Sequence, residues 1–131
     1  MTTHARGTFE IQLQPQLDEG VGDPTIGRLS FDKQFSGDLS GTSKGQMLAT
    51  RTDAPGSAGY VAMERVSGTL GGKRGSFALQ HSGTMNRSVS ELVVTVVPDS
   101  GSDALAGLRG KLAIRIEEGK HFYDFEYSFA P

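Results

Sequence analysis

One carboxylate and one imidazole, Glu64 and His81, are the residues whose types and spacing best suit chemistry in this sequence. They lie in two segments of alternating apolar and polar residues joined at Gly71-Gly72, a pair typical of a β-hairpin turn. A two-residue turn makes the two side chains diagonal neighbours on one face, and a four-residue turn makes them direct neighbours. A three-residue turn would place them on opposite faces, because side chains alternate along a strand.

The face that Glu64 and His81 share is the more apolar one, so we expect it to point into the core. A carboxylate there needs a partner, since an unpaired buried charge is costly. The pair can act as general base and acid, with Glu64 as the base and His81 as the acid or the orienting group. It can also be a satisfied polar pair, or anchor a polar group of a bound ligand, because structural ion pairs shift pKa values as well.

Other residues on inward faces are candidate ligand contacts. The predicted ligand-binding set is Tyr60, Phe77, Leu79, His121, Tyr123 and Phe125. Two histidines and one carboxylate at one end also raise the question of a metal site. No short His-x-His or His-Glu-x-x-His spacing supports one, so we predict neither a metal nor a cofactor.

Period-two alternation predicts eight β-strands. They are expected near 6–14, 26–36, 38–50, 58–69, 75–86, 90–98, 110–117 and 120–129. No stretch keeps a helical period, and only 102–108 favours a single helical turn, with Ser102 or Asp103 as its cap. His4 precedes the first predicted strand, in a terminus that we expect to fray.

Eight strands in 131 residues predict a single all-β domain over 1–131, an eight-stranded antiparallel closed β-barrel. Closure removes the exposed edges that an open sheet of this size would have. The interior of such a barrel is filled by side chains or holds one small ligand. A β-sandwich is the alternative architecture, because alternation alone does not distinguish closure from stacking.

The last hairpin locates the ends of this barrel. A two-residue turn at 118–119 pairs Ile116 with His121 and gives an apolar inner face. The candidate pair and His121 then lean toward one end of the barrel. We interpret that end as the mouth of a pocket, closed by the connections 15–24 and 50–57.

Several other side chains have predicted places outside the candidate pair. Leu105 and Leu108 are expected to plug the end opposite the mouth. Lys33 alternates with phenylalanines, so an inward amine is one interpretation, but we expect it to snorkel at a strand end. Val61 and Met63 face outward in this pattern, where a subunit interface would suit them.

The composition excludes several classes of protein. There are no cysteines, which excludes disulfides and thiolate sites. The net charge is -2 and there is no basic face, so we predict no nucleic-acid partner. The longest apolar run, 92–97, is too short to span a bilayer, and the N-terminus has no apolar segment typical of a signal peptide. We therefore expect no membrane partner and a cytoplasmic location.

Short motifs spread over nearly the whole chain carry a family resemblance. They are DKQF (32–35), GDL (37–39), TSKGQM (42–47), GSAGYVAMERV (56–66), QHSGTM (80–85), VPDSG (97–101), LAGL (105–108) and GKHFY (119–123). Together they resemble a family of small uncharacterised bacterial proteins whose barrel is similar to that of plant allene oxide cyclase. The resemblance implies a barrel with a cavity and a homo-oligomer, with no assigned activity. None of the functional residues of the cyclase matches a position here, and a shared fold does not transfer function.

Three functions stay open at this point. The first is binding of a small hydrophobic or aromatic molecule in the lumen. The second is a cofactor-independent isomerase, cyclase or lyase that uses Glu64 and His81. The third is a structural oligomer whose lumen is filled by its own aromatic side chains, namely Phe31, Phe35, Phe77, Phe125 and Tyr127.

Overall fold

Alternating apolar and polar residues give each segment of this chain one face to bury, and the segments bury it by closing on one another. In a computed structural model, which describes residues 2–17 and 20–131, these residues form a closed antiparallel barrel of eight strands in chain order. The strands are β1 (Thr3–Gln16), β2 (Gly27–Gly37), β3 (Leu39–Arg51), β4 (Ala58–Leu70), β5 (Lys73–Asn86), β6 (Val89–Val96), β7 (Leu108–Glu117) and β8 (Lys120–Phe129). The predicted single-domain barrel is confirmed. Residues 18 and 19, which belong to the connection 15–24, lie outside the described residues.

β1 begins earlier than the sequence predicts. Its first half, from Thr3 to Phe9, pairs with β8 and closes the barrel, while residues from Gly7 onward pair with β2. His4 lies on this strand with its Nδ1 2.7 Å from Oδ1 of Asp124, so the prediction of a frayed terminus is wrong. Closure is a long-range pairing, and local alternation does not reveal where it starts.

The turn at 71–72 fixes the register around the candidate pair. Both of its glycines have positive φ values, 55° and 84°, which is the conformation that a two-residue hairpin turn requires. Of the alternatives above, the two-residue turn is therefore the one observed. Glu64 lies opposite Leu79, and His81 is its diagonal neighbour on the same inward face. The last hairpin has its predicted register as well.

The end of the lumen near the 71–72 turn is filled. The rings of Phe77 and Phe125 stack there with centroids 5.7 Å apart. Leu105, which ends a 3-10 turn (Asp103–Leu105), and Leu108, which begins β7, belong to the same buried cluster as these rings and are almost fully buried. The predicted floor of the barrel is confirmed, although no side-chain hydrogen bond from Ser102 caps the turn.

The junction between β6 and β7 is the least paired part of the wall. Among the described residues only Thr95 and Lys111 are aligned across it, whereas β6 is paired with β5 along its whole length. An outer groove of about 350 Å³ runs along the junction and reaches Leu92 and Leu112, which belong to inward faces. The two strands therefore diverge toward the end that holds the 118–119 turn.

The outer wall carries a few exposed apolar side chains. Val61 and Met63 project outward from β4 and are 52% and 50% exposed, as the alternation predicts. Within residues 2–17 and 20–131, the structure contains no helix with the length and hydropathy needed to cross a membrane. The cytoplasmic location stays a prediction.

Candidate functional site

Four polar side chains of the described residues are buried inside the barrel, each at most 6% exposed: Lys33, Ser43, Glu64 and His81. They come from four neighbouring strands, β2 to β5. Lys33 pairs with Ser43, Ser43 pairs with the residue two places after Glu64, and Glu64 pairs with the residue two places before His81. Strands of a closed barrel are tilted, and this stagger along the tilt brings the four side chains together.

Glu64 is at the centre of this buried cluster. Its Oε1 accepts a hydrogen bond from Oγ of Ser43 at 2.8 Å. Its Oε2 accepts one from Nζ of Lys33 at 2.9 Å and another from Nε2 of His81. The side chain of Glu64 has no exposed surface, so these three donors replace water. Both carboxylate oxygens are therefore occupied.

These surroundings keep Glu64 ionised. Burial raises its pKa, but the hydrogen bond from His81 and the positive charge of Lys33 lower it by more, and the resulting pKa is about 2. An ionised carboxylate with such a low pKa and with both oxygens occupied is a poor general base at neutral pH. The geometry therefore does not favour Glu64 as the base, the role that the sequence suggested for it.

Lys33 points into the barrel, so the prediction that it snorkels at a strand end is wrong. Its Nζ lies 4.7, 5.2 and 5.8 Å from the ring centroids of Phe9, Phe31 and Phe35. Attraction to these rings and the ion pair with Glu64 offset the loss of water around the ammonium. The signal for this placement is present in the sequence, because Lys33 occupies an inward position between Phe31 and Phe35.

His81 directs one ring nitrogen at Glu64 and leaves the other free. A carboxylate only accepts hydrogen bonds, so Nε2 carries a proton, and in the neutral form of the ring Nδ1 has the lone pair. Among residues 2–17 and 20–131, Nδ1 of His81 has no hydrogen-bond partner, whereas every polar side-chain atom that is completely buried has one. Nδ1 is therefore accessible, and the free side of His81 forms part of a cavity wall.

That cavity, here called the inner cavity, has a volume of about 230 Å³ and lies at the predicted mouth end. Its wall is formed by Phe9, Ile11, Leu13, Phe31, Lys33, Met47, Tyr60, Ala62, His81, Leu92, Ile114, Ile116 and His121. A wider space of about 570 Å³, here called the outer cleft, adjoins it and shares Met47, Tyr60 and Leu92. The upper part of the lumen is thus open, while the lower part is filled.

Two of the six predicted ligand contacts, Tyr60 and His121, line the inner cavity. The ring centroid of Tyr60 is 6.4 Å from that of His81, and the ring of His121 is 5.0 Å from that of Phe9. Burial and the negative charge of Glu64 raise the pKa of Tyr60, so its hydroxyl stays protonated at neutral pH.

The other four predicted contacts lie in the packed core and line neither space: Phe77, Leu79, Tyr123 and Phe125. The hydroxyl of Tyr123 accepts a hydrogen bond from the backbone N–H of Leu39 at 2.9 Å and lies 2.9 and 3.0 Å from the carbonyl oxygens of Ser36 and Leu39. Burial raises the pKa of Tyr123, which keeps this hydroxyl a donor. Its contacts hold the turn between β2 and β3 and leave the hydroxyl no capacity for a ligand.

Comparison with known proteins gives a family for this barrel. A family model described as a protein of unknown function (DUF3224) matches residues 5–127. The chain belongs to the DUF3224 family. It is similar to a crystal structure, at 1.84 Å resolution, of a DUF3224 protein with unknown function from Shewanella oneidensis MR-1, with 44% identity, 100% coverage of both chains and a TM-score of 0.92. No curated protein matches the chain.

Membership of DUF3224 confirms the resemblance to a family of unknown function with an eight-stranded barrel. A bacterial member of the family is known, since the similar crystal structure is of a Shewanella protein. The likeness of the DUF3224 barrel to that of allene oxide cyclase stays a prediction.

Sequence reasoning missed one member of the buried cluster of this DUF3224 protein. Ser43 has an inward position on β3, but its partner on β2 depends on the register across the turn at 37–38. A two-residue turn at 37–38, like the one at 71–72, would place Thr42 opposite Lys33, whereas Ser43 lies there in the structure. The local sequence therefore gives no signal that places Ser43 beside Lys33.

The buried cluster does not fit a metal ion. Within the part of the chain that the structure describes, no three His, Asp or Glu side chains are placed to hold one. The carboxylate of Glu64 is occupied by three donors, and the ammonium of Lys33 beside it repels a cation.

Proposed function

We propose that this DUF3224 barrel binds a small, largely apolar molecule in the inner cavity and holds it by one hydrogen bond to His81. The observation that carries the proposal is the free Nδ1 of His81 in a wall that is apolar and aromatic except for Lys33 and His121. Ligand sites in proteins are mostly apolar and contain a few placed polar groups that set orientation.

The uneven filling of the lumen supports the same function. Buried ionic groups are weak contributors to stability, and apolar residues of similar size often stabilise a core as well or better. A purely structural barrel would gain by filling the upper lumen as Phe77 and Phe125 fill the lower one. The charged cluster instead borders the open part, which suits a site that holds a guest.

The dimensions set the class of ligand. Pockets for small molecules usually measure about 300–1,000 Å³. The inner cavity alone is smaller, at about 230 Å³, and the adjoining outer cleft adds room beyond Tyr60. The space suits one aromatic ring at His81, with any substituent directed into the outer cleft.

Calorimetry with indole, a small apolar ring with an N–H donor, tests this proposal. Ala62 lies opposite His81 on the inward face, so Ala62→Leu fills the inner cavity. Ala113→Leu adds the same side chain to an exposed position of β7 and is the matched control. We expect indole to bind the wild type and Ala113→Leu, and to bind Ala62→Leu at least about tenfold more weakly.

Equal affinity of all three proteins for indole, or no heat of binding in any of them, would contradict the proposal. Native mass spectrometry of freshly purified wild-type protein adds a second readout. We expect a co-purified small molecule whose occupancy falls in Ala62→Leu and not in Ala113→Leu.

A proton-transfer enzyme, in the isomerase, cyclase or lyase class, is the second candidate, and the hydrogen bond between Nε2 of His81 and Glu64 favours it. In this arrangement Nδ1 of His81 is the base, and Glu64 positions the ring and stabilises the imidazolium. The roles are thus the reverse of those that the sequence suggested.

Deuterium exchange into 2-indanone, a small apolar ketone with acidic C–H bonds, tests for such a base. We expect the wild-type protein to accelerate exchange and His81→Ala to abolish the acceleration. His4→Ala, which changes a histidine on the outer wall, is the control and should behave as the wild type. Equal exchange with wild type and His81→Ala would remove the enzyme hypothesis.

Self-association is proposed for the outer wall of β3 to β6. One cross-strand row there, Leu48, Val61, Ser82 and Val93, carries no charge, so two copies can face each other without like-charge repulsion. Light scattering should give an oligomer mass for the wild type and a monomer mass for Val61→Lys. A monomeric wild type would contradict self-association.

A further inference from the structure

The charges of the polar side chains at the bottom of the inner cavity can cancel. Glu64 and Lys33 form an ion pair, and in the neutral form of His81 that donates from Nε2 to Glu64 the Nδ1 atom has a lone pair. The balance matters because an uncompensated charge in an apolar site is costly. A ligand that brought a net charge into this cavity would therefore need a compensating change at the cluster.

His81 is the group that can make this change. If its Nδ1 takes a proton, the resulting imidazolium lies between Glu64 on the Nε2 side and the ligand on the Nδ1 side. The titratable groups that face it are Glu64 and Tyr60 on β4, Lys33 on β2 and His121 on β8. Its nearest position on β6 is occupied by an apolar valine.

The proton has a ready source in one kind of ligand. A hydroxyl group directed at Nδ1 donates a hydrogen bond to it, and an acidic hydroxyl can give up the proton altogether. The O–H bond then breaks, the oxygen keeps the electron pair, and an Nδ1–H bond forms, with no other reactant. The cavity stays balanced, because the anion of the ligand is compensated by the imidazolium.

We infer that the inner cavity takes an aromatic or conjugated weak acid, a phenol or an enol, and holds it as its anion with the proton on Nδ1 of His81. This inference rests on the proposed function and specifies its ligand class. The planar wall groups Phe9, Phe31 and Tyr60 suit a conjugated ring. A saturated alcohol lacks both the acidity and the flat shape.

Absorbance spectroscopy with 4-nitrophenol tests the inference, because the anion of this phenol is yellow and the neutral molecule is not. At a pH below the pKa of free 4-nitrophenol, we expect the wild-type protein to produce the anion band on binding. His81→Gln can still donate an amide hydrogen bond to Glu64 but cannot take the proton. It should bind 4-nitrophenol in the neutral form, and His4→Gln should behave as the wild type.

A second ligand separates this inference from the proposed function. In 4-nitroanisole a methyl group replaces the acidic proton, and we expect the wild type to bind it at least about tenfold more weakly than 4-nitrophenol. Equal affinities, or a wild-type complex without the anion band, would overturn the inference while indole binding still supports the proposed function. Failure of indole and both nitro compounds to bind would overturn the two together.

Discussion

Glu64 accepts hydrogen bonds from three side chains, and none of them comes from its own strand. Lys33 lies on β2, Ser43 on β3 and His81 on β5, so one carboxylate joins four neighbouring strands. Removal of a single partner from a buried ion pair typically costs about 3–5 kcal/mol, because the remaining charge is uncompensated. The cluster therefore joins these strands through buried charges that a purely apolar core would not need.

The ionisation of Glu64 makes stability depend on pH. Its folded-state pKa of about 2 is below the ordinary value of 4.5. Such a group stabilises the fold above about pH 4.5, and this contribution is lost as the pH falls toward about 2. Since one pKa unit corresponds to about 1.4 kcal/mol, ionised Glu64 stabilises the fold by about 3 kcal/mol relative to its protonated form.

We therefore expect the free energy of unfolding in urea to fall more steeply for the wild type than for the double variant Lys33→Met/Glu64→Gln between about pH 5 and pH 2.5. The double variant removes both charges and leaves neither unpaired. Asp124 also has a lowered pKa, through His4 and then Arg6, but it is present in both proteins. Parallel pH dependence of the two proteins would contradict an ionised, stabilising Glu64.

At the scale of the strand, β3 has a position without a side chain where it passes beside the buried cluster. Gly45 lies between Phe31 on β2 and Glu64 on β4 in the sheet. A Cβ atom there would lie 2.4 Å from Cζ of Phe31 and 2.8 Å from Cβ of Glu64. The absence of a side chain at Gly45 therefore leaves room for the Phe31 ring to pack over β3 beside Cβ of Glu64.

Gly45→Ala should destabilise the protein by about 1–3 kcal/mol, because a methyl group is forced into packed space. Gly59→Ala is the matched control on β4, since its Cβ would meet only a carbonyl oxygen at 3.9 Å. We expect Gly59→Ala to change the free energy of unfolding by less than about 0.5 kcal/mol. Thermal and urea unfolding measure both variants. A cost for Gly45→Ala no larger than that for Gly59→Ala would show that the close approach is not required.

Local patterns in the sequence predict the strands and hairpins well, because alternation and turn residues act over a few positions. The shared inward face of Glu64 and His81 follows from the 71–72 turn alone. The pairing of Lys33 with Glu64 does not, because it depends on the register of β2 with β3 and of β3 with β4. The second of these registers spans the connection 52–57, whose length does not define a pairing.

At the scale of the whole molecule, the lumen is packed at one end and open at the other. Alternation predicts which side chains point inward but not their height along the barrel axis, since that height depends on the stagger of all eight strands. For this reason the alternation predicts Phe77 and Phe125 as ligand contacts, whereas in the structure they lie in the packed end of the barrel. Tyr60 and His121 have the same inward direction and lie at the cavity.

The sparse pairing between β6 and β7 should be visible as unequal protection of backbone amides. Hydrogen–deuterium exchange followed by mass spectrometry should show fast exchange in 89–94 and 112–117, which border the junction. Exchange should be slower in 62–66 and 77–81, because β4 and β5 are each paired with a strand on both sides. Uniform protection of all eight strands would contradict a weak junction. A bound ligand should slow exchange in the first two segments, because Leu92 and Ile116 line the inner cavity.

The divergence of β6 from β7 also bears on how fast a guest enters and leaves. A barrel paired all the way round admits molecules only through its end, so the width of the mouth limits their size. Here one side of the mouth is two strands with a single aligned pair between them, and their separation can widen without breaking the ladder elsewhere. The residence time of a guest should therefore depend on how fast the junction between β6 and β7 opens, and it should lengthen when the junction is cross-linked. The affinity should depend instead on the hydrogen bond to His81.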